Sequence, residues 1–214
     1  MIERKINRLN EEISRWAFEI KIEMIPEWKI IFTNPTAGPW KRIMCSDEFN
    51  NVGEVYRFQL EEERPDIIMI NDSLEAIVII EAKDSLSKLI EQSQISKTVE
   101  VTDIMARMFK NKSDNKYWGK RSKYKTYLGL LWGSETPNSE EEIDMLFKEH
   151  YKISKNKNDI SDTVIIGIET IYNSEKNFMK CIPHYYYGEE NDFINSLIVS
   201  LALISDLWYL IFYH

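Results

Sequence analysis

The sequence predicts an α/β fold, with a central mixed β-sheet flanked by α-helices, in one domain spanning residues 1–214. Three observations lead there. Two apolar runs, IIMI from Ile67 and AIVII from Ala76, lie either side of the polar stretch NDSLE, the pattern of a buried β-hairpin. Beyond it, segments with helical spacing alternate with strand-like runs, which argues for a sheet whose later strands are joined by helices. The composition, 43% apolar and 29% charged, is that of an ordinary globular chain long enough to bury a core.

Each element has its own reason. Residues 2–25 carry apolar side chains at 6, 9, 13, 16, 17 and 20, a helical spacing that Pro26 stops. Trp28 to Phe32 reads as a short strand, and NPTAGP from Asn34 as a loop. Ser46 or Asp47 can cap a helix running to about Phe58, although VYRFQL can equally begin a strand. The hairpin follows. Leu86, Leu89 and Ile90, then Val101, Ile104, Met105 and Met108, mark the apolar faces of two consecutive helices. Tyr124 to Trp132 is a strand. Ser139 opens a helix with glutamates in its first turn, where the helix dipole favours them. Thr163 to Tyr172 and Phe178 to Tyr187 are further strands, and an apolar helix at about 192–213 closes the chain.

Composition also excludes. A net charge of −8 argues against a protein that coats nucleic acid along its whole surface, while leaving room for a local basic groove. Cys45 and Cys181 are too few and too far apart for a metal knuckle or a disulfide framework, so two reduced thiols and a cytoplasmic location are expected. Phe193 to Tyr213 is long enough to span a bilayer, but Asn195, Ser196, Ser200, Ser205 and Asp206 interrupt it. A carboxylate inside the hydrocarbon is costly, so the expectation is a buried or dimer-forming helix and no membrane. His150, His184 and His214 form no HExxH, and no GxGxxG, P-loop or GxSxG is present.

The polar residues at the hairpin's open end carry the chemistry. A turn centred between Ser73 and Leu74 sets Asn71 against Ala76 and Asp66 against Glu81. Opposed residues share a face, and Lys83, two residues past Glu81, shares it too. Two adjoining carboxylates repel, and one protonates unless a cation offsets the charge. A hard divalent ion suits them: Mg²⁺ binds through one or two carboxylates plus water and phosphate, with the Ala82 carbonyl in reach. Lys83 can then orient or help deprotonate a water and stabilise charge on a phosphate. A purely structural reading of the same residues is a hairpin rim bearing a turn aspartate and a Glu–Lys pair.

Pro65-Asp66, followed at Glu81-Ala82-Lys83 by the second element, resembles the PD-(D/E)xK signature of restriction-endonuclease-like nucleases. The order of elements over residues 45–132 fits that core. The resemblance implies that Asp66 and Glu81 bind Mg²⁺, which Mn²⁺ can replace, and that Lys83 assists the water. It also implies an upstream acid, for which Glu54 is chosen over Glu48 and Glu61. Lys88 and Gln92, spaced i, i+4, are the expected phosphate contacts on the following helix. Two cysteines cannot hold the iron–sulfur cluster of some members.

Nucleic acid has a natural partner in the segment from Arg107 to Lys125, where eight basic residues meet the single acid Asp114 and Phe109, Tyr117, Trp118 and Tyr124 are interleaved. Lys110, Lys112, Lys116, Lys120, Arg121 and Lys123 are the expected backbone contacts. A solvated loop is the plainer account of the same residues. The expected function is a Mg²⁺-dependent endonuclease of double-stranded DNA, of the type II restriction kind, working as a homodimer so that both strands are cut. A nuclease reading DNA structure in repair or phage defence, and a non-catalytic DNA-binding module, are the alternatives.

Overall fold

A computed structural model describes residues 25–33, 65–110, 121–173 and 178–187, together with Glu11, Glu12, Ser14, Arg15, Ala17, Phe18, Glu19 and Ile22. Six strands form one sheet in the order of the chain: β1 (Lys29–Thr33), β2 (Ile67–Asn71), β3 (Ala76–Lys83), β4 (Lys125–Ser134), β5 (Ile160–Asn173) and β6 (Phe178–Tyr187). Pairing is antiparallel from β1 to β3 and between β5 and β6, and parallel for β3–β4 and β4–β5. Parallel neighbours need crossover connections. Helices α1 (Leu86–Leu89) and α2 (Gln92–Lys110) supply the first, and α3 (Glu140–Ser154) the second. The fold is therefore α/β around a mixed sheet, as the sequence predicts.

The hairpin has the expected register, from Asn71↔Ala76 to Ile67↔Ile80. Its turn is held by Asn71, whose Oδ1 accepts the backbone N–H groups of Ser73 and Leu74, each at 3.0 Å. Glu75 closes the turn at φ 50°, the left-handed region that side chains seldom enter. Its carbonyl accepts the Lys125 N–H at 2.9 Å, which sets where β4 begins. Both strands are buried on both faces up to Ala82, as their unbroken apolar runs require.

Alternation along the strands divides the core. Ile67, Met69, Val78, Ile80, Ala82, Tyr127, Leu131, Ile166 and Ile168 face the N-terminal helical residues and pack with Ala17, Phe18 and Ile22. The opposite face carries α1 to α3, with Ile68, Ile70, Ile77 and Ile79 against α2 and Leu128, Leu130 and Trp132 against α3. The buried N-terminal face runs through Ser14, Ala17, Phe18 and Ile22; residues 6, 9, 13, 16 and 20 of the expected face lie outside the described residues. Helix α3 begins at Ser139 as expected, with a reciprocal capping box: Ser139 accepts the Glu142 N–H, and the Glu142 side chain reaches back to the Ser139 N–H.

Gly167 of β5 lets α3 sit close to the sheet. A Cβ there would lie 2.6 Å from Phe147 Cζ and 3.2 Å from Trp132 Cη2. Cys181 is buried, its sulfur 3.8 Å from Thr170 Oγ1. No helix among the described residues is long and apolar enough to cross a membrane. Cys45, the segment 34–58 and the C-terminal segment 192–213 lie outside the described residues.

Gly167→Ala is expected to lower stability by about 1–3 kcal/mol through overpacking. Urea denaturation should show a lower midpoint at unchanged slope. Adding Phe147→Leu should recover part of the loss; no recovery would place the strain elsewhere.

Candidate functional site

The open end of the hairpin gathers the acids and the lysine. Continuing the β2–β3 register one step past Ile67↔Ile80 sets Asp66 against Glu81. The Asp66 N–H still donates to the Ile80 carbonyl at 3.0 Å, and Asp66 Oδ2 accepts the Ala82 N–H at 2.8 Å. The aspartate side chain thus takes the place of a ladder carbonyl, which fixes its carboxylate beside β3. Lys83 Nζ donates to Glu81 Oε1 at 2.5 Å and to the Ala82 carbonyl at 2.9 Å. The expected trio is therefore assembled at one corner. The Ala82 carbonyl, read as a possible metal ligand, is engaged by the Lys83 ammonium.

Helix α2 completes the corner with a residue the sequence reading passed over. Gln94 Nε2 donates to Glu81 Oε1 at 2.8 Å and lies 3.2 Å from Thr98 Oγ1. By spacing alone, Lys88 and Gln92 form one i, i+4 pair. That pairing does not hold, because the chain breaks after Leu89 and the two residues belong to different helices, α1 and α2. Lys88 is held by Asp84 at 2.5 Å, and Gln92 is exposed on the first turn of α2. Starting the helix at Gln92 turns Gln94, Thr98 and Thr102 inward; the buried threonines, each bonding back to a carbonyl four residues earlier, are the sequence signal for that face.

A second contribution comes from the other side of the sheet. Arg15, on the N-terminal helix, brings Nη1 to 3.6 Å from Asp66 Oδ1. Glu11, four residues earlier, is close enough for burial and the Asp66 charge to raise its carboxyl above the usual value. Glu54, Glu48 and Glu61 lie outside the described residues, so Glu11 is the further acid seen at this corner. An i, i+4 Glu–Arg pair is visible in the sequence, but its docking over the hairpin is not.

Electrostatics follow from burial. Glu81 is 7% exposed; desolvation and the Asp66 charge push its pKa up to about 7, against the pull of Lys83 and Lys97. Asp66 is raised as well, by burial first, with Lys83, the Ala82 N–H and Arg15 opposing. Burial works against the charge on Lys83, but Glu81 and Asp66 more than offset it and hold the ammonium above its ordinary value. A pair of carboxylates this crowded suits a hard cation, and Asp66 Oδ1 and Glu81 Oε2 carry no hydrogen bond from the described residues. Among the described residues no group of three or more His, Cys, Asp or Glu side chains is arranged to hold a metal. Two carboxylates are as few protein ligands as Mg²⁺ takes when water and phosphate fill the rest.

The basic segment lies elsewhere. Arg121 grips Asp72 of the hairpin turn at 2.8 and 3.1 Å and, with Tyr124, holds that carboxyl down at about 2. Lys123 pairs with Glu75, and Lys110 with Asp159 at 2.7 Å. These residues sit at the turn end of the hairpin, roughly 17 Å along the strand from the carboxylates at about 3.3 Å per residue. Lys112, Lys116 and Lys120 lie outside the described residues. Of the expected contacts in this segment, Lys110, Arg121 and Lys123 are described, and they pair with Asp159, Asp72 and Glu75 in place of Asp66 or Glu81. No protein-family model matches the chain, and no curated protein and no solved structure is detectably similar to it.

Glu81→Gln isolates the buried charge. Glu81 in the folded chain keeps its proton up to about 7, whereas the unfolded carboxyl loses it near 4.5. Folding therefore binds a proton between those values, and the wild type loses stability as pH rises through that window. The variant should match the wild type near pH 4.5 and exceed it above neutrality by about 1–3 kcal/mol. Thermal melts of both proteins across pH check this. A variant less stable throughout would mean that Lys83 and Gln94 stabilise the carboxylate outright.

Proposed function

We propose that this chain is a Mg²⁺-dependent endonuclease that hydrolyses phosphodiester bonds of double-stranded DNA, of the PD-(D/E)xK kind. The observation that carries the reading is the meeting of Asp66, Glu81 and Lys83 at one buried corner, with Lys83 bonded to Glu81 and Asp66 locked to the Ala82 amide. The surrounding order supports it: an antiparallel hairpin, a helical crossover, then a parallel strand, as a restriction-endonuclease-like core would have.

Asp66 and Glu81 would hold the ion. Bound there, Mg²⁺ or Mn²⁺ supplies Lewis acidity and a more acidic water. The chain's own groups do the rest. Asp66 is oriented by a backbone amide, so its free oxygen has a fixed direction. Gln94 and Lys83 both bond Glu81 Oε1, which leaves Oε2 without a hydrogen bond from the described residues. Lys83 is bonded to Glu81 and acts on Asp66 through its charge, placed to hold a water or to neutralise charge growing on a phosphate. The finer assignment is a type II restriction enzyme working as a homodimer, because cutting both strands requires two such corners.

Plasmid cleavage should require Mg²⁺ and stop with EDTA. Asp66→Ala, Glu81→Ala and Lys83→Ala should each slow it about a hundredfold or more. Metal-dependent cutting left intact in all three variants would sink the assignment. Discrete fragments from phage DNA would support sequence-specific cutting, and cleavage confined to branched or nicked DNA would move the protein to the repair class.

Gln94→Ala should weaken Mn²⁺ binding about 10- to 100-fold, as loss of a ligand-orienting partner does elsewhere. Calorimetric titration reads this directly. Unchanged affinity would leave Gln94 as a packing residue.

A further inference from the structure

Arg15 is a cation of the corner with hydrogen-bonding capacity to spare. Its side chain is 12% exposed, and its ion pair with Asp66 is a single 3.6 Å approach, too long for a hydrogen bond. Its Nε is buried and reaches no acceptor among the described residues. The molecule contains a direct comparison. Where an arginine serves as a structural partner, at Arg121 and Asp72, the guanidinium donates twice to the carboxylate, at 2.8 and 3.1 Å. Arg15 makes no such fork with Asp66, though the two are adjacent and equally buried.

A guanidinium buried with an unspent donor is costly unless something else satisfies it. Of the other cations nearby, Lys83 is committed to Glu81 and the Ala82 carbonyl and Lys88 to Asp84, while Lys97 acts on both carboxylates through its charge. Arg15 alone combines an idle buried donor with a place beside Asp66. Its planar array of N–H groups matches the oxygens of a phosphodiester. Glu11, four residues earlier, senses Asp66, Lys83 and Arg15 together, which places this stretch of the helix against the corner and not beside it.

Resting on the nuclease reading, we propose that Arg15 is a phosphate-binding residue of the site: its Nη groups take the substrate phosphodiester over Asp66 and Glu81, and the long contact of Nη1 with Asp66 is what the guanidinium makes before substrate arrives. The N-terminal helix then does more than cover the sheet. It supplies one wall of the substrate site, opposite Gln94 of α2.

The test uses the full-length chain. A labelled duplex oligonucleotide is titrated in Ca²⁺ with wild type, Arg15→Gln and Arg15→Lys, followed by fluorescence anisotropy at several salt concentrations. Mn²⁺ affinity without DNA is measured in parallel by calorimetry. Arg15→Gln should bind DNA about tenfold more weakly, and the slope of log affinity against log salt should fall by about one. Its Mn²⁺ affinity should be equal to that of the wild type or tighter, since Asp66 loses a competing cation. Arg15→Lys keeps the charge beside Asp66 and hence the fold, yet should still bind DNA more weakly for want of the fork. Wild-type DNA affinity and salt slope in Arg15→Gln, or in Arg15→Lys where the glutamine variant does not fold, would overturn the proposal and leave the nuclease reading standing. A wild-type protein that binds neither Mn²⁺ nor DNA would overturn both.

Discussion

A four-residue turn between Asn71 and Ala76 decides what meets at the other end of the hairpin. Asn71 closes that turn from within by accepting two of its amides, and the ladder then runs without a slip from Asn71↔Ala76 to Ile67↔Ile80. Side chains alternate along a strand, so one residue of slip would move Glu81 and Lys83 to the opposite face. It would also take Asp66 away from the Ala82 amide. The apolar runs make such a slip expensive, because both strands are buried on both sides.

The corner is costly to bury. Two carboxylates share it, and both are pushed toward protonation by desolvation. The chain offsets this with Lys83 from the same strand, Lys97 from α2 and Arg15 from the opposite face. Ion pairs elsewhere in the protein set one acid among cations: Asp72 meets Lys29 and Arg121, and Asp159 meets Arg107 and Lys110. Stability alone gives no reason to crowd Glu11, Asp66 and Glu81 into one largely buried corner. A site that awaits a divalent ion and an anionic substrate gives one.

The crossover through α2 also sorts the chain's charges. The helix starts at the corner, where Gln94 meets Glu81, and ends near the hairpin turn, where Lys110 meets Asp159. At about 1.5 Å per residue, those two side chains are separated by roughly 24 Å of helix. The basic stretch that follows Arg107 therefore returns to the sheet at the turn, and its described cations are spent on Asp72, Glu75 and Asp159. Contiguity in the sequence suggested a phosphate track beside the active residues; the direction of the helix carries it to the other end.

Local rules determined much of this protein from its sequence. Two unbroken apolar runs either side of a short polar turn defined the hairpin, its register and the meeting of Asp66, Glu81 and Lys83. Ser139 and its glutamates marked the start of α3, and apolar spacing marked the α/β order. Those features depend on residues within one or two elements, where backbone geometry leaves little choice. What joins them depended on tertiary packing. The break between α1 and α2 turned Gln94 inward in place of Gln92. The docking of the N-terminal helix brought Arg15 and Glu11 to the corner across the whole chain segment from 22 to 65. Neither is readable from spacing, because the face a helix buries, and the strand end it reaches, are set by the sheet it packs on.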